Sequence, residues 1–386
     1  MDTNNIITIN DHDFAFEPGE TILKIAQRNN INIPTLCYLK NASPTGICNV
    51  CVVEIKDNSE LMTACNTMAS PNMHIYTESP RVIAARKDTI KSILNSGNHN
   101  CAIRDFNTAN WTQFQLKVLK EDANDDLCPA WGDCELQNLA YKYQVTTKDK
   151  PLSTSQFPME RVNPFIIRDF SRCILCGRCV KACREIQVNN AINFNNTPEN
   201  TEPDFTKITK IIAGNDVALK DSDCVFCGEC VQACPVGALV TDKAFDKQKF
   251  LKLETTRTTC SYCGVGCQMD IISQNNKIVE IKGADKDLPP NHASLCVKGR
   301  FGYDFVGSPE RLTSPLIKKD GKFIEASWDQ AMDIVASNLN SIKAQFGSDS
   351  LGVLTSARIT NEENYIAQKF TRAVLKTNNI DHCARL

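Results

Sequence analysis

The runs CILCGRCVKAC (173–183) and CVFCGECVQACP (224–235) carry the same cysteine pattern, C-x2-C-x2-C-x3-C, and begin 51 residues apart. Three thiolates spaced this closely can hold one iron–sulfur cube, and the fourth, which lies beyond a turn, reaches the other cube. Gly177 and Gly228 keep the backbone close to the inorganic core, where a Cβ would crowd it. The pattern therefore predicts two [4Fe-4S] clusters, one held by Cys173, Cys176, Cys179 and Cys234, the other by Cys224, Cys227, Cys230 and Cys183.

Zinc and disulfides are the alternative explanations for so many cysteines. A zinc site takes two C-x2-C halves, which the third cysteine of each run does not fit. Disulfides need an oxidising compartment, and the start MDTNNIITIN has neither the basic nor the apolar region of a secretory leader. We therefore favour iron–sulfur ligation and expect a cytoplasmic protein.

Composition narrows the class of protein further. The chain has 386 residues, which suggests two to four domains, and its 20 cysteines are far more than a cytosolic protein needs unless they hold metal. A net charge of -2 and a pI near 6.3 give no basic field for nucleic acid, so no nucleic-acid partner is expected. No apolar run approaches the length of a membrane span, so no membrane insertion is expected.

The first 80 residues predict a small domain with its own cluster. Alternating apolar residues, a Pro18-Gly19 turn and a helix from Thr21 precede four cysteines spaced C-x10-C-x2-C-x13-C. The stretch resembles the plant-type [2Fe-2S] ferredoxin (β-grasp) domain, in the wider-spaced version found in complex I-like large subunits and their hydrogenase and formate dehydrogenase relatives. The alternative is a set of buried free cysteines, but Gly46 and the C-x2-C pair fall where a cluster loop needs them. The predicted ligands are Cys37, Cys48, Cys51 and Cys65.

Residues 81–150 follow a less regular pattern. A predicted helix leads to His99 and Cys101, and Cys128 and Cys134 come much later, before ELQ. The segment resembles the complex I-like domain in which one histidine and three cysteines hold a [4Fe-4S] cluster. It departs from that family because residues 102–127 stand where the family has two residues, and because His99 lies two positions before its cysteine instead of four. The alternative for His99 is a helix cap or a surface residue.

A polar linker is expected at 146–160, and an Asn-rich loop is expected at 189–200 between the two cysteine runs. Beyond the double-cluster domain comes CSYCGVGC, followed by CVKGR. Gly264-Val265-Gly266 lacks the third glycine of a dinucleotide fingerprint. The cysteines of CSYCGVGC and CVKGR resemble instead the [4Fe-4S] module at the start of the catalytic subunit of molybdopterin oxidoreductases. The resemblance implies four ligands, Cys260, Cys263, Cys267 and Cys296, and places Lys298 between cluster and pterin as an electron relay.

The last 77 residues predict the start of an α/β domain. Ser327 to Gln330 is a capping box that opens a helix, 350–355 is a predicted strand, and Asn361 is expected to cap a second helix. TNEENYIAQKFTRAV (360–374) and DHCARL (381–386) are similar to formate dehydrogenase catalytic subunits, where selenocysteine or cysteine and then histidine follow. The resemblance implies a chain cut short by a UGA codon, with its molybdenum or tungsten ligand at the next position and Cys383 as a buried bystander. The alternative is that Cys383 is itself the ligand.

Together these patterns predict a multidomain α+β protein. The expected domains are a [2Fe-2S] ferredoxin-like domain at 1–80, a His/Cys [4Fe-4S] domain at 81–150, a 2[4Fe-4S] ferredoxin-type domain at 151–250, a molybdopterin oxidoreductase [4Fe-4S] domain at 253–309, and the truncated start of the molybdopterin-binding α/β domain at 310–386. The expected cofactors are one [2Fe-2S] cluster, four [4Fe-4S] clusters and, in the full-length protein, molybdenum or tungsten held by two pterin guanine dinucleotides.

The resemblance implies that the full-length protein oxidises formate to CO2, or runs the reverse, with electrons passing through the clusters to a partner. The partner would be a flavoprotein of the NADH-dehydrogenase type or ferredoxin, because the chain has no nicotinamide or flavin fingerprint. The 386 residues alone are expected to be inactive toward formate. Two alternatives stay open: an electron-transfer subunit with no active site, and the large subunit of a complex I-like enzyme or a hydrogenase.

Overall fold

The computed structural model describes residues 5–96, 130, 133–145, 157–197, 203–204, 206–245, 253–357 and 359–383. The chain divides into two compact units, Met1–Glu254 and Thr255–Leu386. No helix in these described ranges is long and apolar enough to cross a membrane.

A five-stranded mixed sheet forms the start of the first unit, in the order β2-β1-β5-β3-β4. Its strands are β1 Ile6–Ile9, β2 His12–Ala15, β3 Val52–Ile55, β4 Leu61–Thr63 and β5 His74–Tyr76. Strand β1 pairs parallel with β5 and antiparallel with β2, so the predicted hairpin is present. Helix α1, Ile22–Arg28, begins at the Thr21 cap as predicted, and its Ile22 and Ile25 are buried in the core under the sheet.

A second core joins the ferredoxin-like sheet to the middle of the first unit. Helix α2, Pro80–Leu94, is capped by the Ser79 hydroxyl, has proline in its first turn, and contacts both β3 and helix α3, Glu135–Lys142. The buried side chains come from the loop before β3, from both helices and from the segment after the second cysteine run. They include Leu36, Val50, Ile90, Leu94, Leu136, Ala140 and Val236.

The two cysteine runs fold as matching halves of one small domain. Each half has a short helix, α4 Arg178–Lys181 or α5 Glu229–Ala233, that follows a glycine in the left-handed conformation. The remaining elements of this domain are β6 Ile166–Arg168, β7 Ile192–Phe194, β8 Ile211–Ala213, β9 Leu239–Thr241 and α6 Asp242–Phe245. Strands β6 and β9 pair antiparallel, as do β7 and β8.

Strand β7 corrects the prediction of an uninterrupted loop at 189–200. Ile192 and Phe194 point to the buried side, with Asn193 between them, and this alternation suits a strand pairing with β8. Of the asparagines that suggested a loop, Asn193 lies within the strand, and Asn189, Asn190, Asn195 and Asn196 lie on either side of it.

The second unit opens with a three-stranded sheet made of β10 Glu254–Thr259, β11 Gln268–Gln274 and β12 Lys277–Gly283, in that order. Helix α7, Val297–Phe301, packs against β12. A hairpin follows, with β13 Leu316–Lys319 paired to β14 Lys322–Glu325.

The chain then forms one parallel strand pair with helices on either side of β15 in sequence. The elements are α8 Trp328–Phe346, β15 Val353–Ser356, α9 Asn361–Phe370 and β16 Ile380–Cys383, and β15 pairs parallel with β16. Large apolar side chains on these elements are solvent exposed, among them Trp328, Phe346, Leu354 and Ile366. The sequence therefore forms a βαβ arrangement, and its apolar surface is open in this structure.

The predicted capping box at Ser327 is confirmed, since its hydroxyl accepts from the Gln330 N–H and the Gln330 side chain accepts from the Ser327 N–H. The cap predicted at Asn361 is wrong by one residue. Thr360 is the cap, because its hydroxyl accepts from the Glu363 N–H while the Glu363 carboxylate accepts from the Thr360 N–H. The strand predicted at 350–355 begins only at Val353, because 348–350 forms a turn of 3₁₀ helix.

Candidate metal centres

The structure brings the four cysteines of the ferredoxin-like domain together, three from the segment between α1 and β3 and one, Cys65, from the turn after β4. Hydrogen bonds link the Cys37 thiol to Cys48 and the Cys51 thiol to Cys65, and the charge of Cys37 also acts on Cys51 and Cys65. The hydrogen bond to Cys48 lowers the pKa of Cys37, and the hydrogen bond to Cys51 raises the pKa of Cys65. Four thiols grouped in this way are the donor set that an iron–sulfur cluster takes as thiolates.

Gly46 shapes the loop that supplies these thiols. Its φ is +69°, and an added Cβ would lie 1.8 Å from the Asn66 side-chain nitrogen. Asn66 in turn accepts a hydrogen bond from the Cys65 thiol at 3.3 Å. A glycine is therefore required here both by the left-handed backbone and by the close approach of a residue that touches a predicted ligand.

The first thiol group contains cysteines of both runs. The pKa of the Cys179 thiol is raised by burial first and then by the charges of Cys176, Cys173 and Cys234. Cys234 acts in the same way on Cys173 and Cys176. The structure thus places Cys234 of the second run beside the three closely spaced cysteines of the first.

A buried cavity of about 40 Å³ lies inside this set. Its walls include Cys173, Cys176, Cys179 and Cys234, together with Phe170 and Ile192. The space exceeds what one water molecule requires, and its largely apolar walls give water few polar partners. Thiols around an apolar cavity fit a [4Fe-4S] cube, whose inorganic core fills the space and whose irons take the sulfur atoms.

The second thiol set is only partly defined by contacts. Burial raises the pKa of the Cys224 thiol, and the charges of Cys227 and Cys183 raise it further, so Cys183 of the first run lies with the second. Cys230 lines the cavity of the first set and its charge acts on Cys179, which places it at the boundary between the sets. Its predicted assignment to the Cys224 cluster stays a prediction.

The two runs also share a backbone geometry next to the thiols. Leu175 and Phe226, at equivalent positions, have φ of 55° and 54°, which is uncommon for residues other than glycine. Their N–H groups donate to the sulfurs of Cys173 at 3.5 Å and Cys224 at 3.4 Å. Hydrogen bonds to sulfur are one of the means by which proteins set cluster potentials.

Among the described residues, no group of three or more histidine, cysteine, aspartate or glutamate side chains is arranged to hold a single metal ion.

Three predicted ligands of the His/Cys domain, His99, Cys101 and Cys128, lie outside the described residues. The fourth, Cys134, is buried at 4% exposure and caps α3, where its sulfur accepts from the Gln137 N–H at 3.4 Å. The apolar core that contains Cys134 also contacts Cys48, Cys173 and Cys234. Cys134 is therefore packed among ligands predicted for two other clusters.

The [2Fe-2S] loop and the first cysteine run of the double-cluster domain border one common cavity. Cys48 and Cys176 both border a cavity of about 350 Å³, with Thr89 and Ser92 of α2 and Ile174 on its other sides. Both loops border this cavity within the first unit. The structure therefore places the [2Fe-2S] loop next to the first cysteine run of the double-cluster domain.

In the second unit, the four cysteines around β10, β11 and α7 also act on one another. Burial raises the pKa of the Cys260 thiol, the charges of Cys296 and Cys263 raise it further, and the charge of Lys298 lowers it. Cys267 responds to the same three thiols, and its carbonyl accepts from the Cys260 N–H at 2.8 Å. Lys298, in the first turn of α7, is thus close enough for its charge to act on Cys260, and its role as an electron relay stays a prediction.

The sequence analysis did not single out Tyr262, which lies between two of these cysteines. Its hydroxyl donates to the Gly302 carbonyl, and an added Cβ on Gly302 would lie 2.5 Å from that hydroxyl. Tyr262 therefore fixes the end of α7, and with it Cys296 and Lys298, against the loop of the other ligands. Its position one residue before Cys263 was the only signal in the sequence.

Four family descriptions match the chain in order. They are a 2Fe-2S iron-sulfur cluster binding domain at residues 4–80, a 4Fe-4S dicluster domain at 172–238, a molybdopterin oxidoreductase Fe4S4 domain at 253–308 and molybdopterin oxidoreductase at 311–386. The predicted fold class and the order of these domains are confirmed, whereas the exact domain boundaries stay predictions.

Similar curated proteins come from staphylococci. A protein of Staphylococcus haemolyticus (strain JCSC1435), named provisionally as a formate dehydrogenase, is 30% identical over 424 aligned positions, which cover 100% of this chain and 39% of that protein. A provisionally named formate dehydrogenase of Staphylococcus aureus (strain bovine RF122 / ET3-1) gives the same identity and coverage. The chain therefore spans about two fifths of the length of these relatives.

One similar solved structure is an NAD+-reducing [NiFe]-hydrogenase in the H2-reduced state. It is 23% identical with a TM-score of 0.48, and the match covers 62% of this chain and 87% of that chain.

Proposed function

We propose that this chain is the iron–sulfur portion of a formate dehydrogenase catalytic subunit. Residues 253–308 and 311–386 match molybdopterin oxidoreductase descriptions, and a 2Fe-2S domain and a 4Fe-4S dicluster domain precede them. Relatives that are 30% identical over the whole chain are named provisionally for that activity. They extend well beyond the region matched here, so the proposal concerns the longer protein to which the 386 residues contribute.

The observation that carries the proposal is the position of Lys298 beside the thiols of the molybdopterin oxidoreductase Fe4S4 domain. When bound, the molybdenum or tungsten pterin cofactor would accept the two electrons of formate oxidation. Lys298 supplies a permanent positive charge and three N–H donors next to Cys260. These favour an additional electron on the cluster and can hold an acceptor atom of a cofactor on the other side.

The thiol sets provide a route for single electrons through the first unit. Cys48 and Cys176 border one cavity, and Cys134 packs in the core that both loops contact. We infer one [2Fe-2S] cluster at Cys37 to Cys65, one [4Fe-4S] cluster that uses Cys134, and two in the double-cluster domain, with a further [4Fe-4S] cluster at Cys260 to Cys296. This set would contain about 18 iron atoms per chain, which iron and sulfide analysis of the anaerobically purified protein can count.

The electron acceptor in this proposal is a flavoprotein subunit of the NADH-dehydrogenase type, or ferredoxin. The chain has no nicotinamide or flavin fingerprint of its own, so reduction of NAD would need a separate flavin-bearing chain. Anaerobic copurification of a flavin-containing chain with the 386-residue chain would favour the first acceptor.

The direct test compares this chain with the full gene product. The DNA after the Leu386 codon is sequenced first, and a TGA codon followed in frame by a histidine codon would identify the longer protein. That protein is produced anaerobically with molybdate or tungstate, and cluster reduction by formate is followed by visible absorbance and electron paramagnetic resonance (EPR). We expect formate to reduce its clusters, and dithionite but not formate to reduce those of the 386-residue chain.

Other outcomes would contradict the proposal and point to the alternatives. Cluster reduction of the longer protein by NADH or H2 but not by formate would indicate a complex I-like or hydrogenase subunit. A TAA or TAG codon with no open frame beyond it would leave an electron-transfer subunit without a site for formate.

A further inference from the structure

The loop that carries the predicted [2Fe-2S] ligands binds directly to the double-cluster domain. Both oxygens of the Glu185 carboxylate accept from Ser43, Oε2 from the backbone N–H at 2.6 Å and Oε1 from the hydroxyl at 2.7 Å. Ser43 lies between Cys37 and Cys48, and Glu185 follows soon after Cys183. A contact between residues 142 apart in sequence therefore joins the ligand loop of one predicted cluster to the ligand run of another.

Lys181 completes this contact. Its ammonium donates to the Ser43 hydroxyl and, at 3.2 Å, to the Glu185 carboxylate. The side chains of Lys181 and Glu185 are 20% and 29% exposed, so water screens their charges only in part. Hydrogen bonds to ionised groups are also shorter and stronger than those between neutral groups. We call this set of three residues, Ser43, Lys181 and Glu185, the loop clamp.

Sequence neighbours of the loop clamp form a small apolar core. Leu39, Ala182 and Ala233 are buried together in it, and Ala42 and Ile186 pack against them. Ala182 and Ala233 are equivalent residues, because each directly precedes the fourth cysteine of its run. The [2Fe-2S] loop therefore packs on both halves of the double-cluster domain.

The charged members of the loop clamp occur in the first cysteine run and not in the second. Lys181 and Glu185 align with Gln232 and Val236, although the cysteine spacing of the two runs is the same. Glu185 also lies on a π-helical turn, Ala182–Ile186, which is a rare geometry that often occurs at functional sites. The loop clamp is therefore an addition to the repeat and not part of its cluster-binding pattern.

We propose that Lys181 and Glu185 are positioning residues that fix the separation between the [2Fe-2S] loop and the first cysteine run. Cys48 of the loop and Cys176 of the run border one cavity, so the width of that cavity depends on how the loop is bound to the domain. Electron transfer slows steeply with distance, and metal groups on the two segments therefore need a fixed separation. The inference rests on the cluster assignments of the proposed function and not on its substrate.

The first test is amide hydrogen exchange of the full chain with its clusters, read by mass spectrometry on peptides that contain Ser43. The Ser43 N–H donates to Glu185, so its exchange reports on the loop clamp directly. Glu185→Asp keeps the charge and shortens the side chain, whereas Glu185→Gln keeps the length and removes the charge. We expect exchange at Ser43 to become several-fold faster in both variants.

The second test is the EPR signal of the [2Fe-2S] cluster in dithionite-reduced protein. A neighbouring reduced cluster speeds the relaxation of this signal, and the effect weakens steeply as the separation grows. We expect the microwave power that half-saturates the signal to fall several-fold in Glu185→Asp and in Lys181→Met. A loss of stability alone would not change this power in folded protein with full iron content, so the measurement separates positioning from a purely structural role.

Arg184→Gln is the matched control. Arg184 is the sequence neighbour of Glu185, but its guanidinium donates to the Asn190 and Asn193 side chains of its own domain. This variant changes a charge next to the same cysteine run without touching the loop clamp. It should leave both the exchange at Ser43 and the half-saturating power at the wild-type values.

Three results would overturn the proposal. They are slow exchange at Ser43 in Glu185→Asp, an unchanged half-saturating power when that exchange is fast, and effects in Arg184→Gln as large as in the clamp variants. If Glu185→Asp assembles with less iron, Lys181→Met gives the same comparison. Because dithionite supplies the electrons, a chain whose clamp variants behave as expected but that does not react with formate would refute only the proposed function.

Discussion

The cost of replacing a glycine by alanine depends on its position in this chain. Gly46 and Gly19 both have positive φ, +69° and +85°, but a Cβ on Gly46 would collide with Asn66 whereas nothing lies within 4 Å of a Cβ on Gly19. Substitution by alanine would strain the left-handed backbone at both positions, but it would cause a steric clash only at Gly46. The pair therefore separates backbone strain from crowding at the predicted [2Fe-2S] loop.

We expect Gly19→Ala to lower the free energy of unfolding by about 1–2 kcal/mol through its left-handed backbone. Gly46→Ala should lose that amount and about 1–3 kcal/mol more for overpacking, and the displaced Asn66 should disturb Cys65. The measurements are denaturant unfolding and the EPR signal of the [2Fe-2S] cluster. Equal losses in the two variants, with the signal intact in both, would contradict this view of the loop.

Lys298 is the other residue whose effect can be isolated. In Lys298→Met the positive charge beside Cys260 disappears and the length of the side chain is kept. We expect the cluster at Cys260 to Cys296 to become several-fold harder to reduce at a fixed potential, and Lys298→Arg to stay close to the wild type. EPR titration measures this, with Lys319→Met on β13 as the control. An unchanged titration of Lys298→Met would leave this lysine without a role at the cluster.

At the scale of elements, the start of α9 belongs structurally to the neighbouring cluster loop. The Gly264 N–H donates to the Ala357 carbonyl at 3.4 Å, and a Cβ on Gly264 would lie 3.3 Å from the Asn361 side-chain oxygen. Gly264 directly follows the predicted ligand Cys263. The capping box of α9 therefore stabilises the helix and also the surface on which this loop rests.

Two capping boxes in one unit allow a matched comparison. Thr360→Ala and Ser327→Ala should each cost about 1 kcal/mol of stability, because each leaves a helical N–H without its side-chain acceptor. Only Thr360→Ala should also broaden or weaken the EPR signal of the cluster at Cys260 to Cys296, since only α9 begins at that loop. Identical signals in both variants would show that the loop does not depend on the helix start.

For the whole molecule, the clusters are expected to be part of the folding energy. The first unit contains most of the predicted thiol sets, and its buried thiols surround a cavity of about 40 Å³ that would be empty without iron and sulfide. Metal ligation supplies stability that small apolar cores lack. The second unit has one predicted cluster and contains α8, which is the longest helix among the described residues.

Removal of iron by an anaerobic chelator should therefore lower the melting temperature of the chain, with the first unit unfolding first. Circular dichroism gives the melting temperature, and limited trypsin digestion with mass spectrometry shows which unit is cut. Reconstitution with iron and sulfide should restore both. An apo chain that melts at the temperature of the holo chain would show that the clusters add nothing to stability.

The ligand sets could be predicted from sequence because spacing is a local property. Three cysteines at two-residue intervals must lie on one side of a tight loop, whatever packs around them, and the repeat then assigns the fourth to the other run. The Ser327 capping box was predictable for the same reason. The errors were also local: Asn361 and Thr360 are both good caps, and the asparagines around β7 masked its buried Ile192 and Phe194.

The sequence by itself determined the order of the cluster domains and predicted which thiols belong together. Only the tertiary structure decided which charges act on them, because burial and contact depend on packing between distant segments. Arg168 pairs with Leu239 across β6 and β9 and lines the cavity of the first thiol set, and Asn66 meets Gly46 through the turn after β4. Cys134 enters a core shared with Cys48 and Cys234 in the same way. Cysteine spacing indicates the cluster type, and packing between distant segments sets the electrostatic environment of that cluster.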